Sequence, residues 1–255
     1  MGFLAPSIAT VGALATMLAL ALVAPRSAEA QRSRDYLLGR PMASLTLRIG
    51  GARPNASDGV FAFADSLLTL SPDAYTAPSF GGDLGIMLTQ RIELQVSASS
   101  ATRQVRSEYR DFVDNNDLPI EQATRLRRTA ISVGVRYNLV PAGRAISRLA
   151  WVPTKLVPYV AAGGGAMRYR FQQEGDFVDF RSANQAVFRA KLGADGWAPL
   201  AYAATGLTWA LLPSVAVNTE VRYDHSRAFI AGDFTGFDRT ALSGVALSTG
   251  LQFRF

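Results

Sequence analysis

The chain has 255 residues, 49 % hydrophobic and 18 % charged, with a mean hydropathy of +0.12. That balance excludes a disordered chain, and it disfavours a bundle of membrane helices, each of which needs an apolar run of about 20 residues. Cysteine is absent, which excludes disulfides and thiolate chemistry, and the formal charge is +6, carried almost wholly by arginine because only Lys155 and Lys191 are lysine.

Residues 11–23 form an uncharged apolar run, short for a membrane span. Ala28 and Ala30 follow it in the small-x-small pattern of a signal-peptidase site. The expectation is a signal peptide over 1–30 and one domain over 31–255. Removing the first thirty residues takes away one Arg and one Glu, so the charge stays at +6. Export takes nucleic acid off the list of expected partners.

From residue 43 the chain alternates apolar with polar or small residues, the period of a strand. In 43–49, Leu45, Leu47 and Ile49 oppose Ser44, Thr46 and Arg48. In 80–88, Leu84, Ile86 and Leu88 oppose Asp83, Gly85 and Met87. In 92–99, Ile92, Leu94 and Val96 oppose Glu93, Gln95 and Ser97. In 131–139, Ile131, Val133, Val135 and Tyr137 oppose Ser132, Gly134, Arg136 and Asn138. In 157–172, Tyr159, Met167, Tyr169 and Phe171 share one face and Arg168, Arg170 and Gln172 the other. Segment 201–211 carries Leu207, Trp209 and Leu211 together; 215–224 sets Val217, Val221 and Tyr223 against Asn218, Glu220, Arg222 and Asp224. The last segment, 241–255, sets Val245, Leu247, Leu251, Phe253 and Phe255 against Gly244, Ser248, Gly250, Gln252 and Arg254.

Two folds give such alternation. A soluble sandwich buries the apolar face, whereas a membrane barrel turns it to lipid and fills its lumen with the polar face. Three features favour the barrel. The polar face is rich in Gly, Ala and Ser, which suits a narrow interior. It carries charges of both signs. Aromatic residues gather near strand ends, with Tyr137, Tyr159, Trp209, Tyr223, Phe253 and Phe255 assigned to one end and Tyr169 and Phe171 to the other. Connections also alternate: 89–91 and 212–214 are tight, while 51–79, 103–126, 173–199 and 225–240 are long and polar.

The chain resembles the small eight-stranded outer-membrane barrels of Gram-negative-type bacteria, a set that includes the OmpA transmembrane domain, OmpX and OmpW. The resemblance covers 31–255, and its most specific element is the closing run Leu251-Gln252-Phe253-Arg254-Phe255. It implies an all-β, antiparallel, eight-stranded transmembrane barrel in the cell outer membrane, with long external loops and both termini in the periplasm. It also implies that Leu251, Phe253 and Phe255 are read by the barrel-assembly machinery. The family spans adhesins, porin-like pores, lipid-modifying enzymes and anchors, so fold alone does not set function. Connection 140–156, with Arg144, Arg148, Trp151 and Lys155, breaks the short–long alternation, and a periplasmic-leaflet contact is one account of it.

Arg48, Asp83, Glu93, Arg136, Arg168, Arg170, Glu220, Arg222 and Arg254 are assigned to the inner face. An eight-stranded barrel is just wide enough to be filled by side chains, so these charges form either a paired plug or a gated solute path. The lone histidine, His225, adjoins Ser226, whereas lipid A deacylase barrels set His and Ser two apart on a strand; adjacent residues point to opposite faces. The loops repeat a phrase, Asp111-Phe112-Val113-Asp114, Asp176-Phe177-Val178-Asp179 and Asp233-Phe234, read either as local packing or as a shared external binding surface. Arg103, Arg106, Arg110, Arg125, Arg127 and Arg128 can pair with lipopolysaccharide phosphates or with carboxylates of their own loop. The expected protein is non-enzymatic and free of cofactors. It is structural or ligand-binding through its loops, with outer-membrane lipid and lipopolysaccharide as partners. A small-solute channel and a lipid A-modifying enzyme are the alternatives.

Overall fold

The computed structural model describes residues 36–255 apart from 57, 114–116, 148, 180–186, 231, 235, 237 and 238. The expected signal peptide and its cleavage site lie outside the described residues. Twelve strands follow in chain order: β1 Leu37–Leu38, β2 Ala43–Pro54, β3 Ala77–Met87, β4 Ile92–Val113, β5 Pro119–Asn138, β6 Gly143–Ser147, β7 Ala150–Pro153, β8 Leu156–Val178, β9 Val187–Ala210, β10 Val215–Ala228, β11 Thr240–Ala241 and β12 Gly244–Arg254. Among the described residues one α-helix, α1, spans Val60–Leu67.

Eight of these strands form a closed antiparallel ring: β2, β3, β4, β5, β8, β9, β10 and β12, with β12 pairing back to β2. Closure satisfies every strand edge within the wall. The period-two pattern fixes the register, since a slip of one residue would turn each charge outward. Outward residues such as Ile49, Phe80, Val133, Leu207 and Leu247 are exposed, while Ser44, Arg48, Glu93, Arg136 and Glu220 on the other face are buried. An edge-free sheet with an apolar outside is a form in which strands can cross a bilayer.

Both tight turns lie at the end of the barrel where β2 begins and β12 ends. At one of them Thr89 Oγ1 accepts from the N–H groups of Arg91 and Ile92, at 3.1 and 2.9 Å, which sets the turn. At the opposite end β4, β5, β8 and β9 run 20 to 24 residues, well beyond what a membrane crossing needs. Much of 103–126 and 173–199, expected as loop, is therefore paired strand.

Two covers close the ring. At the short-turn end β1, β7 and β6 form a three-stranded sheet from the anomalous connection 140–156 and the residues before β2. Trp151 is its centre, packed with Leu37 and Ala142 and donating to Gln90 Oε1 at 3.4 Å. Gly143 is needed there, because a Cβ would sit 2.2 Å from the indole. At the long-loop end α1 folds into the mouth. Phe61 meets Tyr75 at 5.3 Å and Phe171 at 5.5 Å, and Phe171 meets Phe234 at 5.1 Å. Arg110 holds the end of α1 to β4, donating to the carbonyls of Leu68 and Leu70 at 2.8 and 3.3 Å.

Candidate functional site: the lumen and its covers

The lumen is polar at its short-turn half and apolar at its long-loop half. In the lowest layer Ser44 donates to Glu93, and Arg136 Nε lies 3.8 Å from the same carboxylate. Arg136 also donates to Thr208 and, at 3.2 Å, to Asn138 Oδ1. Above it Arg48 bridges two carboxylates, Asp83 at 2.8 Å and Glu220. The Tyr159 hydroxyl lies 3.0 Å from both Glu220 Oε2 and Asn218 Oδ1. In the next layer Arg222 pairs with Asp224 at 2.7 Å, donates to Ser132 Oγ at 3.1 Å and lies 3.8 Å over the ring of Tyr202.

These charges are almost wholly dry. The side chains of Arg48, Asp83, Glu93, Arg136, Glu220 and Arg222 each keep 8 % or less of their exposure. An isolated charge so placed costs several kcal/mol, so pairing on both sides of each group is what lets the set exist. A cavity of about 50 Å³ remains between the charged layers and the apolar half, lined in part by Arg48, Arg128, Glu220 and Arg222. It has room for a few waters.

The tyrosines lie along the wall because the strands beside them carry glycine. A Cβ on Gly134 would lie 2.2 Å from the Tyr202 hydroxyl, and one on Gly206 would lie 2.5 Å from the Tyr159 ring. Glycine in the barrel wall thus lets each tyrosine ring lie flat against the neighbouring strands.

Not every assigned residue is where alternation suggested. Arg168 and Arg170 point outward and are exposed; Tyr159, Met167, Tyr169 and Phe171 of the same strand are buried in the lumen. The physical reason is that β8 crosses an interior that α1 has made apolar, while its arginines stand above the apolar band. Tyr223 pairs with Val245 near the start of β12, at the end opposite Phe253, not beside it. Arg128, assigned to the rim, is inward and buried, donating to the Leu242 carbonyl at 2.9 Å. It shares parity with Ser132 and Arg136 on β5, a signal visible once the strand is extended back. Arg254 is buried, 5.9 Å from the Trp151 ring, with Nε and Nη1 lacking a hydrogen-bond partner among the described residues.

The repeated loop phrase does not make one external surface. Phe177 is buried against Phe188 at 6.0 Å, Phe234 is buried against Phe171, and Phe112 packs half-buried on Tyr109 at 6.0 Å. Asp233 accepts from the Gly193 N–H at 2.8 Å, and the backbone carbonyl of Asp176 accepts from Gln122 at 3.0 Å. Asp111 is exposed, Asp179 is half-buried, and Asp114 lies outside the described residues. Aromatic rings seek burial, so these phenylalanines serve loop packing. Leu251, Phe253 and Phe255 point outward.

His225 is exposed and Ser226 buried, on opposite faces of β10. The neighbour of His225 Nδ1 is Ser243 Oγ at 3.5 Å, whose own proton is directed to the Ser226 carbonyl at 3.2 Å. Among the described residues no group of three His, Asp or Glu could hold a metal ion.

No protein-family model matches the chain, and no curated protein does. Solved structures similar to it are small outer-membrane barrels. OprG of Pseudomonas aeruginosa has 12 % identity over 86 % of this chain and 99 % of its own, with a TM-score of 0.46. Neisserial surface protein A has 11 % identity over 84 % and 97 %, with a TM-score of 0.41. The N-terminal barrel domain of Pseudomonas aeruginosa OprF has 16 % identity over 85 % and 100 %, with a TM-score of 0.34.

Proposed function

We propose that the protein is a non-enzymatic outer-membrane barrel with a closed lumen. It acts as a structural element of the membrane and through the face built at its long-loop end. Both termini lie on the periplasmic side, the side of the tight turns. The observation that carries this reading is the double closure: a dry, cross-paired charge network in one half of the lumen and α1 packed into the other. A pore needs a wet path, and the lumen cavity beside Arg48 and Glu220 is a few waters in size. The outward stripe Leu251, Phe253 and Phe255 on the last strand is the feature offered to the barrel-assembly machinery.

The test has two parts. The protein should float with outer membranes and migrate differently on a denaturing gel before and after boiling. Refolded into planar bilayers, it should show no steady single-channel openings. Recovery as a soluble periplasmic protein defeats the membrane reading, and steady ion-selective openings replace the plug with the channel.

A further inference from the structure

The short-turn end of the barrel presents basic side chains to its surroundings. Arg40, Arg91, Arg144 and Lys155 stand exposed there. Among the described residues this end exposes no Asp or Glu side chain, because Asp83, Glu93 and Glu220 are buried in the lumen. The long-loop end is mixed, with Glu108, Glu121, Glu174 and Asp195 exposed among its arginines. A surface of one sign attracts the opposite charge over distance, whereas mixed signs largely cancel.

Two of these cations share a groove beside the tight turn 89–91. Arg40 and Arg91 line it with Leu88, Gln90, Ile92 and Tyr137, and its open volume is about 480 Å³. That lies within the roughly 300–1,000 Å³ of small-ligand clefts. Arg40 donates to the Met87 carbonyl at 3.4 Å. Arg91 donates through Nη1 to the Leu139 carbonyl at 3.1 Å and to the Tyr137 hydroxyl at 3.4 Å. These partners are neutral, so they orient the guanidinium groups without cancelling their charge, and they engage only part of each group's N–H donors. Among the described residues neither arginine forms an ion pair. The turn itself is pinned. The Gln90 carbonyl accepts from the Ala142 N–H at 2.8 Å, and the Arg91 carbonyl accepts from the Asn138 N–H at 2.7 Å.

Tyr137 is exposed at the rim of the groove, and tyrosine favours headgroup depth. Toward the middle of the barrel the same wall exposes Ile86, Leu94 and Val135. A ligand seated here meets cationic donors at one end and an apolar wall along the rest, which is the chemistry of one anionic phospholipid. We propose that Arg40 and Arg91 bind the phosphate group of such a lipid in the leaflet at the short-turn end, with its acyl chains lying over Ile86 and Val135. The inference rests on the membrane reading above and adds a lipid class and a place for it on this chain. Planar guanidinium forks match phosphate oxygens in pairs, and basic groups at a membrane surface favour anionic headgroups. Arg144 and Lys155 stand outside the groove and contribute only to the general field.

The experiment uses the full folded chain in phosphatidylcholine vesicles and measures how strongly it retains spin-labelled phosphatidylglycerol against spin-labelled phosphatidylcholine. The wild type should prefer phosphatidylglycerol, and Arg40→Gln/Arg91→Gln should lower that preference at least about tenfold, as expected for two basic groups lost at a membrane surface. Arg144→Gln should retain most of it. An unchanged preference in the double variant overturns the site, and so does an equal loss in Arg144→Gln, which would show a diffuse field instead of a groove. Saturable binding of inorganic phosphate in neutral detergent, lost in the double variant, overturns the lipid assignment in favour of a free-anion site. The boiling shift and membrane flotation are read on the same samples, so failure of the barrel reading shows there and not in the lipid preference.

Discussion

Arg136 of β5 lies over the ring of Tyr159 of β8, its Cζ 3.6 Å from the ring centroid. A cation held over a desolvated aromatic face is worth about 2 kcal/mol. The contact joins the Glu93–Arg136 layer to the Arg48–Glu220 layer, because the same tyrosine carries its hydroxyl to Glu220.

Tyr159→Phe separates the two roles of that side chain. The ring stays over Arg136, and only the hydroxyl's contacts to Asn218 and Glu220 are lost. The expected cost is about 1–2 kcal/mol, whereas Tyr159→Ala should cost about 3–5 kcal/mol. Urea unfolding in matched micelles measures both, and equal costs would show that the ring contributes nothing.

Glu220→Gln keeps the volume and removes one of the two carboxylates on Arg48. In a dry plug the loss should be about 3 kcal/mol, near the lower end for breaking a buried pair. A hydrated lumen would screen it to below about 1 kcal/mol. A small cost joined to a change in ion selectivity would overturn the closed lumen.

Trp151→Ala should open the short-turn cover while leaving the ring closed. The indole is 1 % exposed, and truncating a buried aromatic costs about 3–5 kcal/mol. Limited proteolysis should then cut within residues 143–153 while the boiling shift persists. Resistance to cleavage equal to wild type would mean the hairpin is held by something other than Trp151.

The mouth should loosen in alkali. Burial, and then the nearby Asp65 charge, push the Tyr75 phenol above its ordinary value. A raised phenol favours the folded plug fully below the unfolded value of about 10, and that contribution is lost as pH rises beyond it. Hydrogen exchange of α1 amides should therefore accelerate above about pH 10 beyond the chemical rate, and Tyr75→Phe should abolish the excess.

The ring was legible because lipid and lumen impose opposite demands on alternate residues, and Arg48, Asp83, Glu93, Arg136 and Glu220 sit at inward parity. The reading inverted at β8, where both faces carry small residues in Ala161–Ala166 and the deciding aromatics fill an apolar lumen instead of meeting lipid. Helix α1 went unread inside 51–79, although Val60, Phe61, Ala64 and Leu68 show helical spacing. The cover built on Trp151 could not be foreseen from periodicity, because its strands are short and their partner, β1, lies more than a hundred residues earlier.

Arg48 is 35 residues from Asp83 and 172 from Glu220. The first carboxylate comes from the neighbouring strand of the opening hairpin; the second comes from β10, beyond the seam where β12 meets β2. A growing chain can therefore assemble half of this clasp early, but the other half arrives only when the cylinder is sewn shut. Until then Arg48 holds one negative neighbour instead of two, so an unfinished wall differs from a finished one in its internal charge as well as in its outline.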